Sequence, residues 1–212
     1  NNNEQPTVES TLCERQGSGK AIFIPQEFKK NNDFRNTTNQ YCYKRSLETE
    51  NLIILWDKKF GDDPSNAPKL GNIDMSFDVN KLAEQGEQFY DIFKNELKFI
   101  KSGSNADKYK MMIMVTYTNE GTVYGGSYDN VIGALWVEPS RIKDVRLNAL
   151  AHELGHSFQF QLSIDSGSGF GSGGIYEMTS QWMLWQTNPY WFDDETYHWD
   201  AYMNQTHLAF NH

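Results

Sequence analysis

Apolar residues along the chain fall into three short unbroken runs and three helical patterns. Leu52-Ile53-Ile54-Leu55-Trp56 and Met111-Met112-Ile113-Met114-Val115-Thr116-Tyr117 are continuous stretches of strand length, and they predict buried strands. The segment 131–137, closed by Pro139, predicts a third strand, and Gly125-Gly126 ahead of it predicts a turn or bulge. Between the first two runs, 78–100 shows helical spacing, with Leu82, Phe89, Phe93, Leu97 and Ile100 on one face and Asp78 as N-cap. A second helical pattern covers 141–161, where Ile142, Val145, Ala149, His152 and His156 recur every three or four positions. A third opens at Glu177, with Met178, Trp182 and Trp185 as its apolar stripe. The order of strand, helix, strand, edge strand and helix, followed by a helical end, predicts an α+β fold: a mixed sheet lobe backed by helices, with a mainly helical C-terminal lobe. The chain divides into an N-terminal extension (1–50) packed on or leading into the domain, a sheet lobe (51–163) and a C-terminal lobe (164–212).

The second helical pattern contains His152-Glu153-Leu154-Gly155-His156. Two histidines four apart project from one helical face and can share a Zn²⁺, while the glutamate beside the first is placed to take a proton from water at the metal. Both histidines continue the apolar stripe, so they face inward. Gly155 costs such a helix about 1 kcal/mol relative to alanine, which suits close approach by another backbone or by the metal site. The plainer alternative is a buried helix whose histidines only satisfy hydrogen bonds.

A zinc site that does chemistry needs a third protein ligand and an open position. The metzincin spacing is excluded, because Gln159 and Leu162 occupy the positions where its glycine and histidine would stand. Asp165 lies too close to the end of the same helix to be a strong candidate. Glu177 follows the Gly/Ser-rich stretch 166–174 and opens a new helix, on which it shares a face with Gln181. Its alternative reading is a first-turn carboxylate favoured by the helix dipole.

On these residues the chain resembles the gluzincins, the thermolysin-like zinc metallopeptidases. The resemblance implies a zincin-like fold, with His152, His156 and Glu177 as zinc ligands and Glu153 as general base. Ser180 matches the small residue that follows the third ligand in that group, but Gln181 stands where the group has an aspartate that supports a ligand histidine, so the support here carries no charge. The Gly133-Ala134 pair resembles the start of the group's substrate strand, which makes Gly133, Ala134, Leu135 and Trp136 candidates for aligning an extended peptide on a sheet edge. The words 152–161 and 173–182 also resemble an uncharacterised family of secreted bacterial proteins of unknown function. That likeness implies a secreted or cell-surface bacterial protein, with a lipid anchor as one route to the surface.

The C-terminal third is rich in aromatic residues and histidine, and Tyr176, Tyr197 and His198 are candidates to stabilise the oxyanion formed when water attacks a carbonyl. The alternative is that these aromatics build a small second lobe or a sugar-stacking surface. The net charge of −9 argues against a nucleic-acid partner, and there is no apolar run of membrane-spanning length. The methionines at 111–114 read as core filling rather than copper ligands. Cys13 and Cys42 are the two cysteines, either joined in a disulfide that tethers the N-terminal segment or free. Asn36-Thr37-Thr38 and Asn204-Gln205-Thr206 are glycosylation sequons, meaningful in a eukaryotic host. The abrupt stop at Asn211-His212 leads to the expectation that the natural chain continues. The function expected is hydrolysis of peptide bonds in an extracellular protein or glycoprotein. The alternatives are a non-catalytic carbohydrate-binding or adhesion module on the same scaffold, or hydrolysis of a non-peptide amide or ester.

Overall fold

In the computed structural model, which describes residues 11–169, 174–194 and 197–205 apart from the side chains of 194, 197–199 and 202, the apolar runs become the inner strands of one sheet. The elements in chain order are α1 (Gln26–Lys29), β1 (Ser46–Glu48), β2 (Leu52–Trp56), α2 (Val79–Asp91), α3 (Asn105–Lys108), β3 (Met111–Val115), β4 (Val123–Tyr128), β5 (Ile132–Val137), α4 (Asn148–Ser166), α5 (Gly174–Thr187), α6 (Trp191–Asp194) and α7 (Tyr197–Asn204). The strand order is β1-β2-β3-β5-β4. β2, β3 and β5 are parallel, and β1 and β4 close the two sides antiparallel. β2 and β3 are buried at every position, as strands covered on both faces must be. The result is the α+β architecture expected, a five-stranded mixed sheet with a helical C-terminal part.

The two faces are covered differently. α2 and α4 pack on one face, where Gly86 of α2 approaches the Leu52, Ile113 and Leu150 side chains. α2 begins at the predicted cap, with Lys81 N–H donating to Asp78 Oδ1 at 3.0 Å, and turns Leu82 and Phe89 into the core; the helix expected to reach residue 100 passes at Ile92–Glu96 into a π-helical turn that buries Phe93. On the other face lie Tyr128 and Trp136, against which the N-terminal segment packs through Phe28, with ring centroids of Phe28 and Tyr128 5.8 Å apart. The N-terminal segment is thus layered onto the sheet and contributes β1 to it. Cys13 and Cys42 are free, and the Cys13 thiol turns to the carbonyl of Glu14.

Three expectations are corrected. Gly125 and Gly126 sit inside β4, not in a turn. The stretch Gly133 to Trp136 belongs to β5, which lies between β3 and β4, so the free edge next to it is β4. The metal-motif helix starts at Asn148 rather than 141: Pro139–Arg141 forms a 3-10 turn, Leu147 is left-handed at φ 49°, and Asp144 Oδ2 accepts from the Asn148 N–H at 3.0 Å to cap the helix. Val145, expected on the inner stripe, therefore lies in the connection and is exposed.

Candidate metal centre

α4 and α5 meet where both carry small residues. A Cβ added to Gly155 would lie 3.4 Å from Ser180 Cα and clash with its hydroxyl, so the glycine is what lets the helices approach. Ser180 Oγ donates to the His152 carbonyl oxygen and fixes the register. That register brings Glu177, one turn before Ser180, and Gln181, directly after it, against the two histidines.

His152 Nε2 is 3.2 Å and His156 Nε2 is 3.4 Å from Glu177 Oε2. The three ligand atoms lie within 4.8 Å of one another, and they are the one such cluster of His, Cys, Asp or Glu among the described residues. The rings are nearly perpendicular at 86°, which lets both Nε2 atoms converge. Each outer ring nitrogen meets a glutamine: His152 Nδ1 is 3.0 Å from Gln181 Oε1, and His156 Nδ1 is 2.8 Å from Gln159 Oε1. Burial, with His156 alongside, pushes the His152 pKa down, partly offset by Glu177 and Gln181, so its ring is held neutral as a metal ligand requires.

Glu153 is reached from the sheet side. The Gly125 N–H of β4 donates to Glu153 Oε2 at 2.8 Å. Any side chain at 125 would collide with the Glu153 carbonyl oxygen and come within 2.7 Å of His156 Cβ, so a glycine is required where the strand crosses the helix. Burial raises the Glu153 pKa above the usual carboxylate range, against the pull of His156 and the Gly125 N–H.

The remaining candidates fall in different places. Tyr176 lies flat on the His156 ring, centroids 4.6 Å apart at 7°, and its hydroxyl donates to the His156 carbonyl at 3.5 Å. Burial, then the charges of Glu177 and Glu153, keep that hydroxyl protonated. Tyr197 and His198 are in α7, and their side chains lie outside the described residues. Asp165 accepts from Gln161 Nε2 at 3.0 Å, away from the cluster. Of the expected substrate strand, the Gly133 N–H donates to Gln161 Oε1, Ala134 O accepts from Ser157 Oγ, and Trp136 stacks on Tyr124 at 4.9 Å, none of them at the histidines. Neither Gly125 nor Gln159 is a site candidate from sequence: Gly125 reads there as part of a turn or bulge, and Gln159 only as the break in a metzincin spacing, although it stands three residues after His156, a spacing that puts both on one helix face.

Residues 14–212 match the model of DUF6055, described as a family of unknown function, and the chain belongs to that family. The expected likeness to an uncharacterised family holds at that level. No curated protein and no solved structure matches the chain.

Proposed function

We propose that this member of DUF6055 is a zinc-dependent metallopeptidase hydrolysing peptide bonds of an extracellular protein or glycoprotein. The observation that carries the reading is the convergence of His152 Nε2, His156 Nε2 and Glu177 Oε2 beside a half-buried, oriented Glu153. Two imidazole nitrogens and one carboxylate oxygen form a donor set that suits Zn²⁺ and leaves a coordination position open. Zinc held there would supply a Lewis acid that polarises a carbonyl and acidifies water.

The chain's own residues do the rest. Gln159 and Gln181 fix the rings so that Nε2 of each histidine faces Glu177. Gly125 commits one oxygen of Glu153, leaving the other to take the proton of the attacking water and return it to the leaving amine. β4 has a strand partner on one side only among the described residues, so its outer backbone can pair with an extended peptide next to Glu153. This edge, in place of the 133–136 strand, is the proposed substrate-aligning element. Tyr176, beside His156, and His198 and Tyr197 in α7 stay as candidates for stabilising the oxyanion.

The test measures metal content and cleavage of an unbiased peptide library. Near-stoichiometric zinc is expected in the wild type and Glu153→Gln, with most of it lost in Glu177→Ala. Loss of the base should lower cleavage by about 10²–10⁴-fold while zinc is retained. A zinc-free wild type sinks the reading. Zinc without cleavage of any peptide replaces it with a non-peptide substrate or a binding module.

A further inference from the structure

We infer that Gln159 is a positioning residue of the metal centre, one uncharged side chain that orients His156 and anchors the helix carrying Glu177. The inference rests on the zinc reading above and extends it to a residue outside the motif.

Gln159 is fully buried, so both ends of its amide need partners. Its Nε2 donates to the Tyr176 carbonyl oxygen at 2.8 Å, and its Oε1 faces His156 Nδ1 at 2.8 Å. A carbonyl oxygen can only accept, so the Tyr176 contact fixes which end of the amide points each way. Oε1 is thereby forced toward the imidazole, Nδ1 must carry the hydrogen, and the Nε2 lone pair of His156 is left facing Glu177. Gln181 does not have this second hold, because its Nε2 is buried with no hydrogen-bond partner among the described residues. Tyr176 is the residue before Glu177, and its ring covers the face of His156. Gln159 therefore couples two ligands that sit on different helices, α4 and α5.

Its neutrality is part of the argument. A carboxylate at 159 would still accept from His156, but its second oxygen would face the Tyr176 carbonyl, acceptor against acceptor. The amide is the group that serves both contacts at once.

The test measures zinc affinity by chelator competition and the visible absorption of the Co²⁺-substituted protein, which reports ligand geometry. The proteins compared are the wild type, Gln159→Met, Gln159→Glu and, as a control, Gln161→Met. Gln161 is equally buried in the same helix but bonds to Gly133 and Asp165 instead. Gln159→Met is expected to weaken zinc about 10- to 100-fold and shift the Co²⁺ spectrum, as loss of a group supporting a ligand does. Gln159→Glu is expected to fall below the wild type, and Gln161→Met to match it. Zinc affinity in Gln159→Met equal to that of Gln161→Met would overturn the inference while leaving the zinc reading intact. Tighter binding by Gln159→Glu would overturn the coupling through Tyr176, and it remains measurable if Gln159→Met does not fold. A wild type that binds no zinc removes the centre itself, and the inference with it.

Discussion

At Gly125 a single hydrogen atom in place of a side chain does two things: it lets β4 lie against α4, and it delivers a backbone N–H to Glu153. Gly125→Ala should therefore act on both stability and chemistry. The methyl group meets backbone, which cannot rotate away, so a loss of about 1–3 kcal/mol is expected in urea unfolding. The proposed cleavage should fall further than stability explains, because the helix that carries Glu153 has to move. Unchanged stability together with unchanged cleavage would show that the strand yields freely. Much of the site at this scale was legible in the sequence. His152, Glu153 and His156 follow from a four-residue spacing on a helix, and Glu177 and Gln181 from the same spacing on the next. Gln159 was visible only as a residue that spoils a different zinc motif, since its role depends on Tyr176, which folding brings in from the following helix.

Among the elements, those whose burial is made by large side chains could be read and those made by small ones could not. β2, β3 and α2 announce themselves as apolar runs or as a capped apolar stripe. β4 does not, because Gly125, where α4 presses closest, and Gly126, which lies against the Trp136 ring, are glycines, the residues that otherwise signal a turn. α5 inverts expectation for the same reason: its inner face is Ser180, Gln181, Met183 and Leu184, while Met178 and Trp182 are 56% and 42% exposed. The connection that aims β4 is held by one carboxylate. Glu138 Oε2 accepts from the N–H groups of Glu120, Gly121 and Thr122 at 2.8–2.9 Å, and from the Thr118 hydroxyl at 3.2 Å. Glu138→Ala leaves these donors short of a partner in a half-exposed turn, where water reaches some of them, and should cost about 1–2 kcal/mol in denaturant unfolding. The proposed metal ligands are untouched, so any zinc stoichiometry found for the wild type should survive. An unfolding midpoint equal to that of the wild type would mean that water replaces the carboxylate without loss.

Over the whole molecule, the segment before β1 and the sheet it covers are joined by a part-buried ionic knot that should also contribute to the response to acid. Arg15 donates to both oxygens of Glu48, at 2.6–3.1 Å, and the almost fully buried Lys110 at the start of β3 lies 3.2 Å from the same carboxylate. Nothing periodic in 11–45 reveals this attachment, which is why the sequence left the N-terminal stretch as packed on or merely leading into the domain. Burial alone would raise the Glu48 pKa, but the hydrogen bonds from Arg15 and Lys110 outweigh it and hold the carboxyl below its usual range. Glu138 is also held low, its hydrogen bonds from Ser140 and the 120–122 backbone outweighing burial. Both groups bind a proton less readily folded than unfolded, so the stabilisation they give is complete above the unfolded carboxylate pKa of about 4.5 and is lost as pH falls below it. The contribution of Glu48 and Glu138 to the unfolding midpoint of the metal-free protein should accordingly be flat from pH 7 to about 5 and decline steeply below. In Glu48→Gln the same curve should start lower at pH 7, because Lys110 loses its ionic partner, yet fall less between pH 5 and 3, because one acid-sensitive group is gone. Wild-type and Glu48→Gln curves that run parallel through that interval would show that the knot carries no part of the acid response. The decline would then have to come from Glu138 and the other carboxylates among the chain's 28 acidic residues, which outnumber its 19 lysines and arginines.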